Sequence, residues 1–454
     1  MTTTAIIAEY NPFHNGHTYQ LQKAKELTEA DALIIIMSGD FVQRGEPAVV
    51  DKYTRAQAAL ENGADLVIEL PVCYACGSAE FFSKGAVSIL NQLGCVDYLC
   101  FGSEAGELTL LDEIAGILLR EPEAYKESLK LAMKEGSSYP VARKTALMDY
   151  IRSQKLLPCP VDVDAGFPNL SLLDTPNNIL ALEYIKELKR THSAIRPVTL
   201  KRLGSAYHST QLVKEKSIDS LNGSFSAEDN SLLLSSASAI REVLKNAKTS
   251  NELLPLKKHM PENVFRLLLE SFGRNMPVLT DDFSGRLHYQ LLSVTYENPA
   301  SLHPFSTYPD VTEDFSDKLQ NSLYHFENFS ALCERLKSKD ITYTRISRNL
   351  LHILLHLKQN DVAEYLENGI TFYARILGLN RSNQALTGML KRSASIPLIS
   401  SPAKAASLLD QTGRKQFYTD LFAADLYESV AAEKFKGVIK NEFERKLLCV
   451  SHEF

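Results

Sequence analysis

The chain has 454 residues, of which 44% are hydrophobic and 23% are charged, and this balance excludes a disordered chain, a collagen and a disulfide-rich scaffold. Its formal net charge of −6 excludes a uniformly basic nucleic-acid-binding protein, so any polyanionic partner has to be held by a local patch. The N-terminal MTTTAIIAEY lacks a signal-peptide pattern, no apolar run is long enough to cross a membrane, and there are only seven cysteines, so we expect a cytoplasmic protein without membrane association.

Short apolar runs alternate with helical patterns through the first 200 residues. Each run has the length of a strand buried on both faces, and helices between such strands favour parallel pairing. The sequence therefore predicts an α/β fold with a Rossmann-like, doubly wound parallel sheet. The predicted strands span 3–9, 32–37, 65–70, 97–101 and 195–200, and the predicted helices span 16–27, 53–61, 80–93, 107–155 and 177–188.

The second half of the chain has a different pattern. A polar stretch rich in serine and glycine at 204–235 predicts a mobile loop, and a helix is expected to begin at Ser236–Ser238. Helical periodicity then predominates, at 264–272, 343–357, 363–368 and 408–435. We expect an α/β domain over residues 1–250 and an α-helical C-terminal domain over residues 251–454.

The sequence His14-Asn15-Gly16-His17 directly follows the first predicted strand and opens the first predicted helix. The first strand of an open α/β sheet delivers its carboxyl end to the ligand crevice, and a helix N-terminus there presents free N–H groups and a partial positive charge. Gly16 is expected to let the backbone approach a nucleotide closely. Two imidazoles at this place indicate phosphoryl or nucleotidyl transfer, which depends on positioning and charge stabilisation.

Two other interpretations of His14 and His17 stay open. The pair can share a metal ion, although H-x-x-H has neither the i, i+4 spacing nor the glutamate base of a zinc helix. The pair can also serve only as helix caps.

A second candidate phosphate motif is Ser235-Ser236-Ala237-Ser238-Ala239-Ile240-Arg241, which follows the fifth predicted strand and the polar loop. Hydroxyls and N–H groups at a helix start, together with one guanidinium, form a cradle for the β- and γ-phosphates. An ordinary N-cap is the alternative.

The H-x-G-H sequence in this context resembles the nucleotidylyltransferase superfamily, whose second motif has the form I-S-S-T-x-I-R. Ser236, Ser238, Ile240 and Arg241 fit that form, whereas Ser235 and Ala237 depart from it. The match extends to the bacterial tRNA(Met) cytidine acetate ligase family. It is carried by the segments AEYNPFHNGH, MSGDFVQRGEPAVVDKYTRAQAAL, GADLVIELP, CFGSE, TPNNILALEYIK and KRLGSAYH, in this order.

The resemblance implies that ATP activates acetate to acetyl-adenylate with release of pyrophosphate, and that the acetyl group passes to N4 of the wobble cytidine of elongator tRNA(Met). Mg²⁺ is expected to bridge phosphate oxygens. We expect no obligate protein partner. The resemblance implies ATP contacts at Ile7, Ala8, Glu9, Tyr10, Asn11, Pro12, Phe13, His14, Asn15, Gly16, His17, Thr18, Tyr19 and Gln20, and at Gly102, Asn177 and Arg202.

These residues are given roles in the expected reaction. His14 and His17 stabilise charge at the α-phosphorus, while Arg202, Ser236, Ser238 and Arg241 hold the pyrophosphate. Asp40 and Arg44, in the loop after the second strand, are expected to face the same crevice as further catalytic residues. A salt bridge within that loop is the alternative for them.

The C-terminal third is basic, because residues 331–454 contain 18 Lys and Arg against 13 Asp and Glu. Arg345, Arg348 and His352 fall at helical spacings that predict one outer stripe for the tRNA backbone. The further candidate contacts are Arg375, Lys391 and Arg392, and a solvated face is the alternative. Tyr343 and Tyr373 are candidates for stacking on a base, or else core residues.

One possible metal site and two rival functions are also considered. Cys73, Cys76, Cys95 and Cys100 mimic a zinc spacing, but small buried cysteines are the preferred interpretation and no protein metal site is predicted. A small-molecule adenylyltransferase of the same fold is one rival function. A non-catalytic RNA-binding protein that retains a nucleotide site is the other.

Overall fold

The computed structural model describes residues 1–137, 139–154, 173–202, 212, 233–297, 299–339 and 341–451. The chain forms two compact units, one made of residues 1–99 and 203–454 and the other of residues 100–202. The predicted domain boundary at residue 250 does not coincide with a division between these units. The functions assigned to the residues on either side of that boundary stay predictions. Most of the predicted loop at 204–235 lies outside the described residues.

Most predicted elements of the first 250 residues are present within a few residues of their expected ends. The strands are β1 (Thr3–Ala8), β2 (Ala32–Ser38), β3 (Phe41–Val42), β4 (Glu46–Pro47), β5 (Leu66–Leu70), β6 (Tyr98–Ser103), β7 (Arg196–Lys201), β8 (Ala374–Asn380), β9 (Leu398–Ile399) and β10 (Leu448–Val450). The helices are α1 (Asn15–Thr28), α2 (Lys52–Glu61), α3 (Val72–Ala75), α4 (Ala79–Leu93), α5 (Leu108–Arg120), α6 (Glu123–Lys134), α7 (Tyr139–Gln154), α8 (Pro176–Arg190), α9 (Ala237–Asn246), α10 (Glu262–Ser271), α11 (Ser284–Glu297), α12 (Glu313–Ser322), α13 (Phe329–Leu336), α14 (Tyr343–Leu354), α15 (Gln359–Asn368), α16 (Gln384–Ser393), α17 (Pro402–Leu408) and α18 (Gln411–Phe435).

The first unit is built on a mostly parallel sheet. β1 pairs in parallel with β2, and β2 pairs in parallel with β5. Every residue of β2 and of β5 is buried, as expected for central strands covered by helices on both faces. The start of β6 also pairs with β1, through Tyr98 beside Thr4 and Leu99 beside Ala5. The predicted α/β sheet is therefore confirmed.

Strand β8 is a feature that the sequence analysis missed. It comes from the region predicted to be entirely helical, and it pairs antiparallel with β5, which makes the sheet mixed. β9 and β10 then pair in parallel with β8. The C-terminal region, expected to form an α-helical domain, is thus helical in its described part except for three strands that complete the sheet of the first unit.

The second unit contains the end of β6, β7 and the helices α5 to α8. Helix α5 packs on α8, and α6 packs on α7. The Ser103 and Thr199 hydroxyls are 2.7 Å apart, and Arg202 N donates to Ser103 O at 2.9 Å, so β6 and β7 run side by side. In the part of the chain that is described, no helix combines the length and apolarity needed to cross a membrane.

Candidate active site

The two histidines of the H-x-G-H sequence cap the helix that they open. His14 is the N-cap of α1, and its Nδ1 accepts a hydrogen bond from Gly16 N at 3.0 Å. In return, His17 Nδ1 accepts from His14 N at 3.2 Å. The two bonds satisfy N–H groups at a helix start. The helix-cap interpretation is thus correct as a description of the geometry, and it does not exclude a role in binding phosphate.

These hydrogen bonds also indicate the tautomer of the two rings. Because Nδ1 acts as an acceptor in both rings, a neutral imidazole carries its proton on Nε2. The rings of His14 and His17 stack with centroids 3.8 Å apart and planes inclined by 20°. The two rings therefore lie together at the positive end of a helix, where an anion is favoured.

Gly16 makes room for the first of these rings. A Cβ at this position would lie 2.9 Å from His14 Cε1 and 3.1 Å from His14 Nδ1. Any side chain here would push the imidazole out of its place. The glycine was expected to admit a nucleotide to the backbone, and the structure adds this closer reason for its presence.

Aromatic side chains hold the second ring from the other side. The Tyr10 ring lies 4.8 Å from the His17 ring, and the Phe13 ring lies 5.5 Å from it, measured between centroids. Both aromatic residues are buried. Tyr10 has φ of +49°, a left-handed conformation that is unusual for a residue other than glycine. Strained backbone of this kind is found most often at functional sites.

The second predicted motif lies against the first. The Ser236 hydroxyl caps α9 by accepting from Ala239 N at 3.1 Å. Arg241 donates to Asn11 O at 2.9 Å and to Ser238 Oγ at 3.2 Å, which ties the start of α9 to the chain that leads into His14. Asn15 Nδ2 completes the connection by donating to Leu233 O at 3.2 Å and to Lys258 O at 2.9 Å. Two motifs more than 200 residues apart in sequence thus form one site within the first unit.

Charged side chains line the turn between β1 and this site. Glu9 Oε1 accepts from Gln43 N at 2.8 Å. Burial raises the pKa of the Glu9 carboxyl, while that hydrogen bond and the charges of Arg241 and Arg44 oppose the rise. Arg44 is half-buried and close enough to act on Glu9, and its expected place at the crevice stays a prediction.

Asp40, expected as a further catalytic residue at the crevice, is a buried carboxyl bonded to α2, and its catalytic role stays a prediction. It is buried, and its Oδ1 accepts from Lys52 N at 2.8 Å while Oδ2 lies 3.8 Å from Lys52 Nζ. Burial raises the pKa of Asp40 to about 7, against the opposing charges of Lys52 and Arg55. The alternative of a salt bridge is also present, but the partner is a lysine of α2 and does not belong to the same loop.

Lys52 belongs to a buried cluster of charges that the sequence analysis missed. Lys52 Nζ lies 2.8 Å from Glu69 Oε1 and 3.4 Å from Glu442 Oε1. Arg375 pairs with the same two carboxylates, and Tyr53 OH donates to Glu442 at 2.9 Å. The glutamate inside the apolar run DLVIEL was the available signal, since a buried carboxylate requires partners. The cluster joins α2, β5 and β8 to the C-terminal segment.

The three ATP-contact candidates of the second unit come together. The Arg202 side chain lies against Gly102, where an added Cβ would be 3.3 Å from Arg202 Cγ. Arg202 also donates to Asn177 Oδ1 at 3.1 Å. Glu104, which was not singled out, accepts from Asn177 Nδ2 at 2.6 Å and from Asn178 N at 2.9 Å. Residues predicted from three separate segments therefore share one place, and their contact with ATP stays a prediction.

The predicted basic stripe on α14 is only partly at the surface. Arg345 is paired with both carboxylate oxygens of Asp310, at 2.7 and 2.9 Å. Arg348 is half-buried, and burial lowers its pKa. His352 is buried beside Cys76 O at 2.9 Å, and burial also lowers its pKa. His352 is therefore corrected from a surface contact to a buried one, because this turn of α14 faces the protein core.

Arg375 is likewise corrected. It is 2% exposed, because β8 runs inside the sheet and places its guanidinium between Glu69 and Glu442. Tyr373 is fully buried, with its hydroxyl bonded to Asp420, so the core interpretation holds for it. Lys391 and Arg392, in the last turn of α16, are exposed and stay candidate tRNA contacts.

The cysteines with zinc-like spacing are separate thiols. Cys73, Cys76 and Cys100 are buried free cysteines, and burial raises the pKa of each. Cys95 is partly exposed. Within the described ranges, no three or more His, Cys, Asp or Glu side chains are grouped so as to hold a metal ion.

Comparisons with known proteins agree with this geometry. A family model described as HIGH Nucleotidyl Transferase matches residues 1–442. A tRNA(Met) cytidine acetate ligase of Clostridium acetobutylicum is 41% identical over 399 residues, which cover 88% of this chain and 90% of that protein. Another, of Halothermothrix orenii, is 33% identical over 448 residues, which cover 98% of each. The chain belongs to the tRNA(Met) cytidine acetate ligase family.

Solved structures extend this assignment to the whole fold. The crystal structure of Thermotoga maritima TmcAL, apo form I, has a TM-score of 0.84 and 28% identity with this chain, and covers 100% of both. A second crystal structure of that protein is bound with alpha-thio ATP, and it has a TM-score of 0.81 and 27% identity. The family resemblance is therefore not confined to the H-x-G-H motif, since it includes β8 and the helices that follow it.

Proposed function

We propose that this protein is an ATP-dependent acetate ligase that forms N4-acetylcytidine at the wobble position of elongator tRNA(Met). The names of its relatives support the ligase activity and its tRNA substrate. The observation that carries the proposal is the stacked pair of imidazoles at the start of α1, with α9 and Arg241 hydrogen-bonded beside it. A tRNA substrate also leads us to propose a cytoplasmic location.

The first step is attack of an acetate oxygen on the α-phosphorus of ATP, which gives acetyl-adenylate and pyrophosphate. His14 and His17 donate from Nε2 to the α-phosphate oxygens as negative charge increases there. The N-terminus of α1 adds its partial positive charge to the same place. No side chain forms a covalent bond, so the contribution of the protein is position and charge.

The pyrophosphate is held by the second motif. The start of α9 supplies main-chain N–H groups, Ser238 supplies a hydroxyl, and Arg241 supplies a guanidinium that can form charge-assisted hydrogen bonds. Arg241 lies between Ser238 and the carbonyl of Asn11, so it couples the leaving group to the chain that carries the histidines. Arg44, near Glu9, is the cation that we assign to the acetate carboxylate.

Mg²⁺ is proposed to arrive with the triphosphate. This ion commonly keeps several waters and binds through substrate phosphates and one or two carboxylates. The described residues hold no cluster of metal-binding side chains. Glu9, whose carboxyl is influenced by the charges of Arg44 and Arg241, is the acidic group nearest to the motif in sequence and is the residue that would bind the ion. When bound, the ion would neutralise phosphate charge.

The second step transfers the acetyl group to the exocyclic amine of cytidine and releases AMP. We propose that Lys391 and Arg392 contact the tRNA backbone, since their side chains are exposed whereas His352 and Arg375 are buried. Phosphate contacts of this kind position an RNA without reading its sequence.

Incubation with ATP, labelled acetate and bulk tRNA, followed by nucleoside analysis, tests the proposal. We expect labelled N4-acetylcytidine, acetate-dependent ATP–pyrophosphate exchange, and loss of both in His17→Ala. Exchange driven by another small substrate in place of acetate would favour an adenylyltransferase. Acetylation that persists in a folded His17→Ala protein would show that the imidazole pair is not needed for attack at the α-phosphorus.

A further inference from the structure

Arg55 is a buried arginine that donates to main-chain carbonyls. It projects from α2 and is only 1% exposed. Its Nε donates to Val50 O at 2.8 Å, and one terminal nitrogen donates to Glu9 O at 2.6 Å and to Ser38 O at 3.0 Å. The other terminal nitrogen donates to Gly39 O. Burying a guanidinium costs free energy unless hydrogen bonds compensate for the lost water, and here main-chain carbonyls provide those hydrogen bonds.

The acceptors lie where the first two strands end. Glu9 is the first residue after β1, Ser38 is the last residue of β2, and Gly39 follows it. Among side chains, only arginine has a planar fork of donors that can connect several carbonyls in this way. Arg55 therefore fastens the carboxyl ends of two adjacent parallel strands, at the edge from which the chain enters the H-x-G-H motif.

The fastened carbonyl of Glu9 belongs to the peptide that precedes Tyr10, the residue with φ of +49°. The carbonyl of Asn11, on the other side of Tyr10, accepts from Arg241 at 2.9 Å. Two guanidinium groups thus hold the chain before and after a strained residue. The ring of that residue packs against His17 at 4.8 Å, so the orientation of the peptide before Tyr10 is passed on to the imidazole.

We propose that Arg55 is a positioning residue that acts through the Glu9 carbonyl and Tyr10 to keep His17 in place for attack at the α-phosphorus. The proposal rests on the proposed function, because it assigns Arg55 to the imidazole pair that carries that function. Without the guanidinium, the peptide before Tyr10 rotates, Tyr10 relaxes toward negative φ, and the stack of His14 and His17 loosens. Substrate binding through the second motif is retained.

Steady-state kinetics of acetate-dependent exchange will test this inference with Arg55→Met, Arg55→Lys and a control. The control is Leu60→Ala, which removes a fully buried side chain from the same helix, one that lies against Gly378 of β8. We expect Arg55→Met to lower kcat by about 100-fold, the effect of a displacement near 1 Å, while KM for ATP stays within about threefold of the parent value. Arg55→Lys should recover part of kcat, because it keeps the charge without the fork. Leu60→Ala should lower stability and leave kcat per folded molecule within about twofold.

A second measurement does not depend on the reaction. In [¹⁵N]histidine spectra the parent should show His14 and His17 with Nδ1 as acceptor, and this signature should be lost in Arg55→Met and kept in Leu60→Ala. A folded Arg55→Met protein with parental kcat, an unchanged His17 signal, or an equal loss of kcat in Leu60→Ala would overturn the inference. A parent enzyme without acetate-dependent exchange would instead overturn the proposed function, and the histidine spectra would then decide the role of Arg55.

Discussion

Substitution of Gly16 by alanine separates the activity of this enzyme from its stability. The new Cβ would sit 2.9 Å from His14 Cε1 and 3.1 Å from its Nδ1, whereas ordinary contacts begin near 3.4 Å. The imidazole therefore has to move by about half an ångström. This movement weakens the hydrogen bond from residue 16 N to His14 Nδ1, now 3.0 Å, and disturbs the ring stack at 3.8 Å.

The expected change in stability is small because two effects oppose each other. Loss of the capping hydrogen bond costs about 1 kcal/mol. Replacing glycine by alanine inside a helix gains about 0.8–1.0 kcal/mol. The backbone at Gly16 has negative φ, so alanine introduces no strain of its own. The free energy of unfolding should therefore stay within about 1 kcal/mol of the parent value, while a displaced imidazole should lower the rate of acetate-dependent exchange by about 100-fold.

Gly285 provides a matched control. It is the second residue of α11, as Gly16 is the second residue of α1, and an added Cβ there would meet nothing within 4 Å. Gly285→Ala should be neutral or slightly stabilising and should keep full exchange activity. Urea unfolding and ATP–pyrophosphate exchange on both variants provide the data. Exchange by Gly16→Ala within threefold of the parent rate would refute the claim that the His14 ring needs this space.

Further expectations concern the buried charges and the basic surface. The pKa of Asp40 is raised from 3.8 to about 7, so the folded state binds this proton more tightly than the unfolded state does. The free energy of unfolding should therefore fall as pH rises from about 4 to 7. Asp40→Asn should reduce that fall by up to about 4 kcal/mol, measured by urea unfolding at each pH. Burial alone would raise the pKa of Glu442, but the charges of Lys52 and Arg375 outweigh burial and lower it. Ionised Glu442 therefore stabilises the fold above its ordinary pKa of 4.5, and this contribution is lost at lower pH. Glu442→Gln at pH 7 should lower the free energy of unfolding by about 3–5 kcal/mol, as removing one partner of a buried ion pair does. Joint replacement of Lys391 and Arg392 by alanine should raise KM for tRNA and flatten its salt dependence, with exchange in the absence of tRNA unchanged.

The parallel sheet could be predicted because its signals are local. A short apolar run such as ALIIIM indicates both the length of a strand and its burial. Strand β8 could not be found in this way, because Arg375 and Gly378 interrupt its apolar pattern. Arg375 is acceptable there only because β5 places Glu69 directly across from it. That information depends on residues about 300 positions away in sequence.

The same distinction applies to the site. His14 and His17 lie within one turn of chain, so a strand, a loop and a helix start were enough to locate them. Exposure of a charged residue depends instead on tertiary neighbours, which explains why His352 was assigned to a surface that it does not reach. The role of Arg55 could not be predicted from the sequence, because its acceptors are main-chain carbonyls, which every residue has.

We assign His14 two tasks that use different nitrogens, and this allows the tasks to be separated. Nδ1 caps α1, while Nε2 is the nitrogen that we propose as the donor to phosphate. Asparagine places an oxygen near the position of Nδ1 and is a preferred N-cap residue, but it has no atom at the position of Nε2. His14→Asn should therefore keep the stability of the parent, while His14→Ala should lose about 1 kcal/mol.

Both variants should lose exchange activity by about 100-fold or more, because each lacks the donor to the α-phosphate. Thermal unfolding and exchange rates measured side by side distinguish the two tasks. If His14→Asn were as active as the parent, the imidazole would be needed only as a cap, and the phosphate would have to be stabilised by His17 and the helix N-terminus alone. If instead both variants are inactive and only His14→Ala is less stable, the cap orients the ring and Nε2 acts on the phosphate.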